Sequence, residues 1–184
     1  MAVLKEIMTE RLMLNQIEQH DSAAYFELFS HARVMEYYGD SKLMQLKQAE
    51  DWIDRVSDQF HHQLGYRYAI RLKTGQVIGS FGVNRILEID EEYGVLIGYA
   101  LHPEHWQKGY MSEVLSRMLI ELKTQPLFAR TISFALAEVY PDNQRSIHLL
   151  HKHGFSAVES SIVAQIQFNL EISARHIFQL RWCA

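Results

Sequence analysis

A single cysteine in 184 residues, Cys183 beside the C-terminus, excludes an intrachain disulfide and a thiolate metal cage. That scarcity suits a reducing compartment, and a cytoplasmic location is expected. Proline is almost as rare, with only Pro103, Pro126 and Pro141, and no Pro-rich or Gly/Ser-rich stretch reads as a linker. The expectation is one domain over residues 1–184. Nowhere do eighteen apolar residues run together, and Lys5, Glu6, Glu10 and Arg11 break up the N-terminal segment. Membrane helices and an export signal are therefore not expected. A basic surplus is also missing. Eighteen Lys and Arg stand against twenty-two Asp and Glu, a net charge of −4, which argues against phosphate-dominated nucleic-acid binding. Neither a P-loop nor a Gly-x-Gly-x-x-Gly fingerprint occurs.

What is present is an ordinary globular composition, 48% apolar and 22% charged. Leu12 and Leu14 flank Met13 in a short strand pattern, and Asp21 can cap a helix carrying Tyr25, Leu28 and Phe29. Leu46, Ala49, Trp52, Ile53, Val56 and Phe60 recur at helical spacing until Gly65 ends the run. Residues 66–72, 77–87 and 93–101 read as an antiparallel meander, the last two joined by an acidic tip of Glu88, Asp90, Glu91 and Glu92. A helix at 110–122, a strand at 131–139, a helix at 143–153 and two strand candidates within 157–180 follow. Strands first, then alternating helices and strands, predict an α+β domain built on a mixed sheet.

The segment richest in chemistry is Gly98-Tyr-Ala-Leu-His-Pro-Glu-His-Trp-Gln-Lys-Gly-Tyr-Met-Ser-Glu113. It runs from the end of an apolar strand, through a short loop, into a helix opening near Gly109. The first amides of such a helix lack intrahelical acceptors, and the positive end of its dipole is exposed. Gly109 lets an anion approach the backbone without a Cβ in the way. A plain strand–helix turn would use the same residues.

Trp-Gln-Lys-Gly-Tyr-Met-Ser-Glu resembles the acetyl-CoA pyrophosphate loop of the GNAT N-acetyltransferase superfamily, in particular its RimJ/RimL-like branch. Three further segments are similar in the same order. These are Thr9-Glu-Arg-Leu-Met-Leu14, then Gly98-Tyr99 with Leu101-His-Pro-Glu-His-Trp106, then Pro141-Asp-Asn-Gln-Arg-Ser146 with Lys152-His-Gly-Phe155. The resemblance implies a mostly antiparallel mixed sheet, flanked by helices, whose fourth and fifth strands splay to admit acetyl-CoA. It implies amides from Gln107, Lys108, Gly109, Tyr110, Met111 and Ser112 on the diphosphate. Backbone contacts from Leu101 and His102 would hold the pantetheine arm, with Asn143 and Ser146 near the thioester. It also implies an amine acceptor, in this branch the α-amine of a ribosomal protein. Gln107 and Met111 stand where the family favours glycine and a small residue. Leu150 replaces a frequent tyrosine, and Leu96 a frequent glutamate.

Without that glutamate, the carboxylates that could relay a proton are Glu92, which shares the pleat of Leu96, and Glu138 near the end of the next strand. Glu92 reads equally as part of a solvated hairpin tip. The resemblance also implies Ser146 as the acid for the departing thiolate, though a serine in the first turns of a helix reads equally as a solvated residue or a back-bond to a carbonyl; direct attack in a ternary complex is expected with no cysteine near the motifs. An α-amine, with a pKa of roughly 7.7–8.0, needs less help than a lysine side chain near ~10.4. A polyamine or antibiotic acetyltransferase and a non-catalytic acyl-CoA-binding module are the alternatives. His148, His151 and His153 cluster without a carboxylate or cysteine at ligand spacing, so no metal is expected. Monomer and homodimer are both open.

Overall fold

The computed structural model describes residues 4–38, 41–158 and 176–182. An edge strand β1 (Ile7–Met8) and β2 (Leu12–Gln16) lead to α1 (Ser22–Ser30), α2 (Ala32–Met35) and α3 (Leu46–His61). The meander follows as β3 (Tyr66–Leu72), β4 (Val77–Ile89) and β5 (Glu92–Leu101). After it come α4 (Tyr110–Thr124), β6 (Ile132–Val139), α5 (Gln144–Lys152), β7 (Ser156–Ala157) and β8 (His176–Arg181). The strands form one sheet in the order β1-β2-β3-β4-β5-β6-β8-β7. Every pairing is antiparallel except β5 with β6. The expected α+β architecture, mostly antiparallel and flanked by helices, is what forms. The first of the two expected tail strands, residues 162–168 and Cys183 lie outside the described residues.

Period-two alternation divides the two faces of the sheet. Tyr66, Tyr68 and Ile70 pack in a core cluster with Val114, Leu115 and Met118 of α4, whereas Ala69 and Ala100 pack with Tyr25, Leu28 and Ile53 of α1 and α3. The β4–β5 hairpin turns on Asp90 and Glu91, both left-handed at φ 51° and 66°, with Ile89 opposite Glu92. That is the two-residue geometry whose twist matches the flanking strands. One extra residue, Asn84, interrupts the β4–β5 register between Val83 and Arg85, a bulge that turns its side chain out of the ladder.

Two sequence expectations shift. Asp21 stands at the head of α1, but its carboxylate does not cap the helix. It takes two hydrogen bonds from the buried guanidinium of Arg71, at 2.9 and 2.7 Å, and one from the Glu18 amide at 3.0 Å. Arg71 also donates to Asn15 Oδ1 at 2.8 Å. A buried charge outcompetes a helix amide for a carboxylate. Likewise α3 ends at His61, short of Gly65, where Gln63 takes a left-handed φ of 58°.

Removing one partner of a desolvated ion pair strands the other. Arg71→Met is expected to cost about 3–5 kcal/mol in a urea titration. Adding Asp21→Asn should recover part of that loss; a double variant no better than the single one would contradict the pairing.

Candidate active site

The parallel ladder between β5 and β6 ends at Ile97 opposite Ala137. Beyond it β5 continues beside β4 from Gly98 to Leu101, while Glu138 and Val139 of β6 stay with β8. The strands that part are thus β5 and β6, fourth and fifth only when the two-residue β1 is left out of the count, and a cavity of about 1100 Å³ opens at the fork. His102 donates its amide to Ile78 O at 2.8 Å, so antiparallel alternation turns the backbone polar groups of Leu101 and Tyr99 to the other edge, into the gap. Leu101 O there accepts the indole Nε1–H of Trp106 at 2.8 Å.

Helix α4 opens at this gap. Gly109, its N-cap, is left-handed at φ 79°, and Gln107 before it is left-handed at 59°. For Gln107 that conformation costs about 1 kcal/mol, the physical reason a glycine is expected there. Among the described residues, no backbone carbonyl accepts from the amides of Gln107, Lys108, Gly109, Tyr110, Met111 or Ser112. Six free donors at a helix N-terminus fit a diphosphate. Met111 is buried in the core cluster around α4, and Gln107 is exposed.

A clasp holds the loop from the other end of the chain. Thr9 donates Oγ1–H to Glu113 at 2.5 Å, and Arg11 reaches the same carboxylate with its amide at 2.8 Å and Nε at 2.7 Å. Arg11 also donates to Lys108 O at 2.8 Å and lies over the Tyr110 ring at 4.6 Å. Burial of Glu113 opposes ionisation, but the hydrogen bonds from Thr9 and Arg11 outweigh it and hold the carboxyl below its ordinary range. Ser112 Oγ meets His153 Nε2 at 2.9 Å, tying the loop to the end of α5.

On the far wall, Asn143 caps α5 by accepting from the Ser146 amide at 3.2 Å. The Ser146 hydroxyl meets the Tyr99 phenol at 2.7 Å. Burial pushes Tyr99 up to about 12, partly offset by the bond to Ser146, so it stays a phenol. Both line the cavity, as do Leu96, Leu101, Asn143 and Glu138. Tyr99 was visible in the sequence only as a neighbour of Gly98; its pairing requires the fold.

Three sequence candidates fall elsewhere. Glu92 begins β5, nine residues and about 30 Å of strand from Leu101, and pairs with Arg181 at 2.6 Å outside the cavity. The acidic tip therefore lies at the wrong end of the strand to guide an acceptor to the fork. His102 has its amide on Ile78 and its carbonyl on the His105 amide at 2.9 Å, while its ring faces Glu27 at 3.7 Å. The Lys108 side chain is absent from the cavity wall, and its carbonyl is taken by Arg11. The three clustered histidines diverge, His148 donating to Gln144 O, His151 to Phe155 O and His153 meeting Ser112.

The wall is basic although the chain is acidic. Arg33, Lys42, Arg55, Arg67, Arg145 and Lys152 line the cavity against Asp51 and Glu138. Arg33 and Arg145 both stack on Trp106, at 4.7 and 4.0 Å. Such a wall suits a polyanionic ligand such as coenzyme A.

If the clasp shapes the loop, Glu113→Ala and Arg11→Ala should each raise the Kd for coenzyme A about five- to tenfold in calorimetric titration. Their double variant should lose little more than either alone, as coupled groups do. A second expectation concerns acidity. Burial lowers both His105 and His153, helped by Lys108 and His102 for the first and by Lys152 for the second. With folded values below the usual 6.5, the unfolded chain takes up protons first. Stability is thus complete above that value and falls as pH drops through it. Tm should decline between pH 7.5 and 5.5, less steeply in His153→Gln.

Residues 11–156 match the acetyltransferase (GNAT) domain family. An uncharacterized N-acetyltransferase of Bacillus subtilis (strain 168), YoaA, is 34% identical over 148 residues, 80% of each chain. A second, p20 of Bacillus licheniformis, is 33% identical over 154 residues, 83% of each. Among solved structures, a putative ribosomal-protein-serine acetyltransferase from Vibrio cholerae superposes with a TM-score of 0.77 at 15% identity, over 99% of this chain and all of that one. RimL, a ribosomal L7/L12 α-N-protein acetyltransferase in complex with coenzyme A, gives 0.75 at 14% identity, over 96% and 98%. With the loop, the fork and these relatives together, the chain belongs to the GNAT family and is an acetyl-CoA-dependent N-acetyltransferase.

Proposed function

We propose that this enzyme acetylates the α-amine of a polypeptide N-terminus, of the ribosomal-protein type, by direct attack within a ternary complex. The Tyr99–Ser146 hydroxyl pair at the fork carries the reading. No carboxylate stands at Leu96, where an acceptor with a high pKa would need one. An α-amine, at roughly 7.7–8.0, is already partly neutral at physiological pH. The likeness in fold to proteins named as ribosomal-protein and L7/L12 acetyltransferases supports the same acceptor class.

Acetyl-CoA, when bound, supplies an activated thioester carbon for the amine. The amides of Gln107, Gly109, Tyr110, Met111 and Ser112 hold its diphosphate, and Leu101 and Asn143 line the path of the arm. Lys108 contributes its amide alone. At the fork the amine nitrogen loses one proton and the sulfur gains one. Ser146 delivers that proton with Tyr99, kept protonated by burial, behind it. Glu138, on the cavity wall, replaces Glu92 as the carboxylate through which a water could carry the amine proton away. Among the described residues no helix is long and apolar enough to cross a membrane, and the cytoplasm is the proposed location.

Incubation with acetyl-CoA and a mixed pool of N-terminal peptides and small amines, followed by mass spectrometry, should place one acetyl group on peptide α-amines. Acetylation of polyamines alone would overturn the acceptor, and stabilisation by coenzyme A without any transfer would indicate a binding module. Ser146→Ala should lower kcat about a hundredfold and Tyr99→Phe by less, with acetyl-CoA still bound.

A further inference from the structure

Two arginines lie four residues apart on β3 and share a pleat, yet their surroundings differ. Arg71 is neutralised by Asp21 at 2.7 Å. Arg67 has only neutral partners, the Ser80 hydroxyl at 3.2 Å and the Asn84 side-chain oxygen, with the Trp52 ring 6.0 Å from its guanidinium carbon. Among the described residues no carboxylate pairs with it. It is half-buried and lines the cavity.

The register fixes where that charge sits. Arg67 lies opposite Gly82, and Gly82 opposite Gly98, so the three form one row across β3, β4 and β5. Glycine clears this row. A Cβ on Gly82 would come within 3.1 Å of Arg67 Cα and Cβ, and one on Gly98 within 2.6 Å of Asn84 Nδ2. The arginine side chain therefore crosses β4, and its head is held between Ser80 and the bulged Asn84, whose amide rests on Gly98. Gly98 is the first residue beyond the last β5–β6 pair, at the fork itself. One strand spacing, about 4.8 Å, separates the arginine's lane from β5.

We propose that Arg67 receives a carboxylate of the acceptor, so that the enzyme's substrate is an amine carrying an anionic group a few bonds from the reacting nitrogen. The diphosphate has its own donors at Gln107–Ser112, on the loop that follows β5, so Arg67 is left for the other substrate. A guanidinium held flat by two neutral acceptors still has free N–H groups, and its planar fork matches a carboxylate. Lys42 and Arg55 strengthen the same sign nearby, while Asp51 is held by Lys47 at 3.0 Å. A polyamine would meet this wall with like charge. The inference rests on the N-terminal transfer reading, under which the anion is an Asp or Glu side chain in the first residues of a polypeptide. The α-carboxylate of a free amino acid offers the same chemistry.

The test separates binding from turnover. N-acetyl-aspartyl and N-acetyl-asparaginyl tripeptide amides are titrated calorimetrically into the coenzyme A complex, with N-acetylalanine and N-acetylalaninamide as the free amino-acid arm. The acidic ligand of the favoured pair should bind at least tenfold more tightly than its amide. Arg67→Gln should reduce that ratio to about one and Arg67→Lys to an intermediate value, with unchanged coenzyme A affinity certifying the fold. Equal binding of acid and amide by the unaltered protein, or a preference surviving in Arg67→Gln, overturns the anion site. In parallel, thiol release is followed with the unacetylated peptides. Carboxylate-selective binding with no turnover on any α-amine would sink the transfer reading and leave the anion site standing. Selectivity confined to the amino-acid pair would support Arg67 and move the acceptor from polypeptide to amino acid.

Discussion

The end of one ladder organises this molecule. Among the described residues β5 and β6 are the only parallel neighbours in the sheet, so the chain must cross over between them, and α4 is that crossover. Parallel strands end on the same side. The loop into α4, after Leu101, and the loop into α5, after Val139, therefore both lie beyond the end of the ladder at Ile97 and Ala137. Two helix N-termini, with their free amides and positive dipole ends, converge on the gap between the strands. One of them, at Gly109, offers donors for a diphosphate. The other, capped by Asn143, brings Ser146 to Tyr99. Had the ladder continued to Leu101 and beyond, the backbone groups of Tyr99 and Leu101 would face a strand instead of a ligand.

Charge follows the same division between whole and part. A net charge of −4 suggests attraction of cations, yet the cavity carries six basic side chains against two acidic ones. Four acidic residues, Glu88, Asp90, Glu91 and Glu92, sit at the β4–β5 hairpin tip, far along the strands from the fork. Composition reports a sum, and recognition depends on where the terms sit. The same point explains Arg67 and Arg71, which are indistinguishable as sequence. Their partners come from α1's N-terminus in one case and from a β4 bulge in the other, at sequence separations no local pattern encodes.

What could be read in advance was whatever repeats or is strictly local. Met111, Val114, Leu115, Met118 and Leu119 announce α4 because burial along one face must recur at three and four residues, and all five are buried. The turn at Asp90 and Glu91 and the helix start at Gly109 are local too, and they stand where expected. Asp21, Glu92 and His102 failed for a common reason. Each has a hydrogen-bonding group with a distant or competing partner, Arg71, Arg181 and Ile78 respectively, and that partner determines its role. Thr9 and Arg11 could be placed in a motif but not given a purpose, because Glu113 is over a hundred residues away.

Leu96 and Leu150 limit the chemistry from the opposite direction. Leu96 faces the cavity and Leu150 is wholly buried, so neither position can move a proton. Proton handling must rest on a serine, a phenol held protonated by burial, and water, with the Glu138 carboxylate reached only through that water. Such a set can pass a proton to a leaving sulfur but cannot strip one from a strongly basic amine. The acceptor has to arrive largely neutral. The cationic side chains of the wall disfavour the ammonium form by like-charge repulsion and lower the pKa of an amine bound among them. The basic wall thus supplies electrostatically some of what the absent glutamate would have supplied as a base.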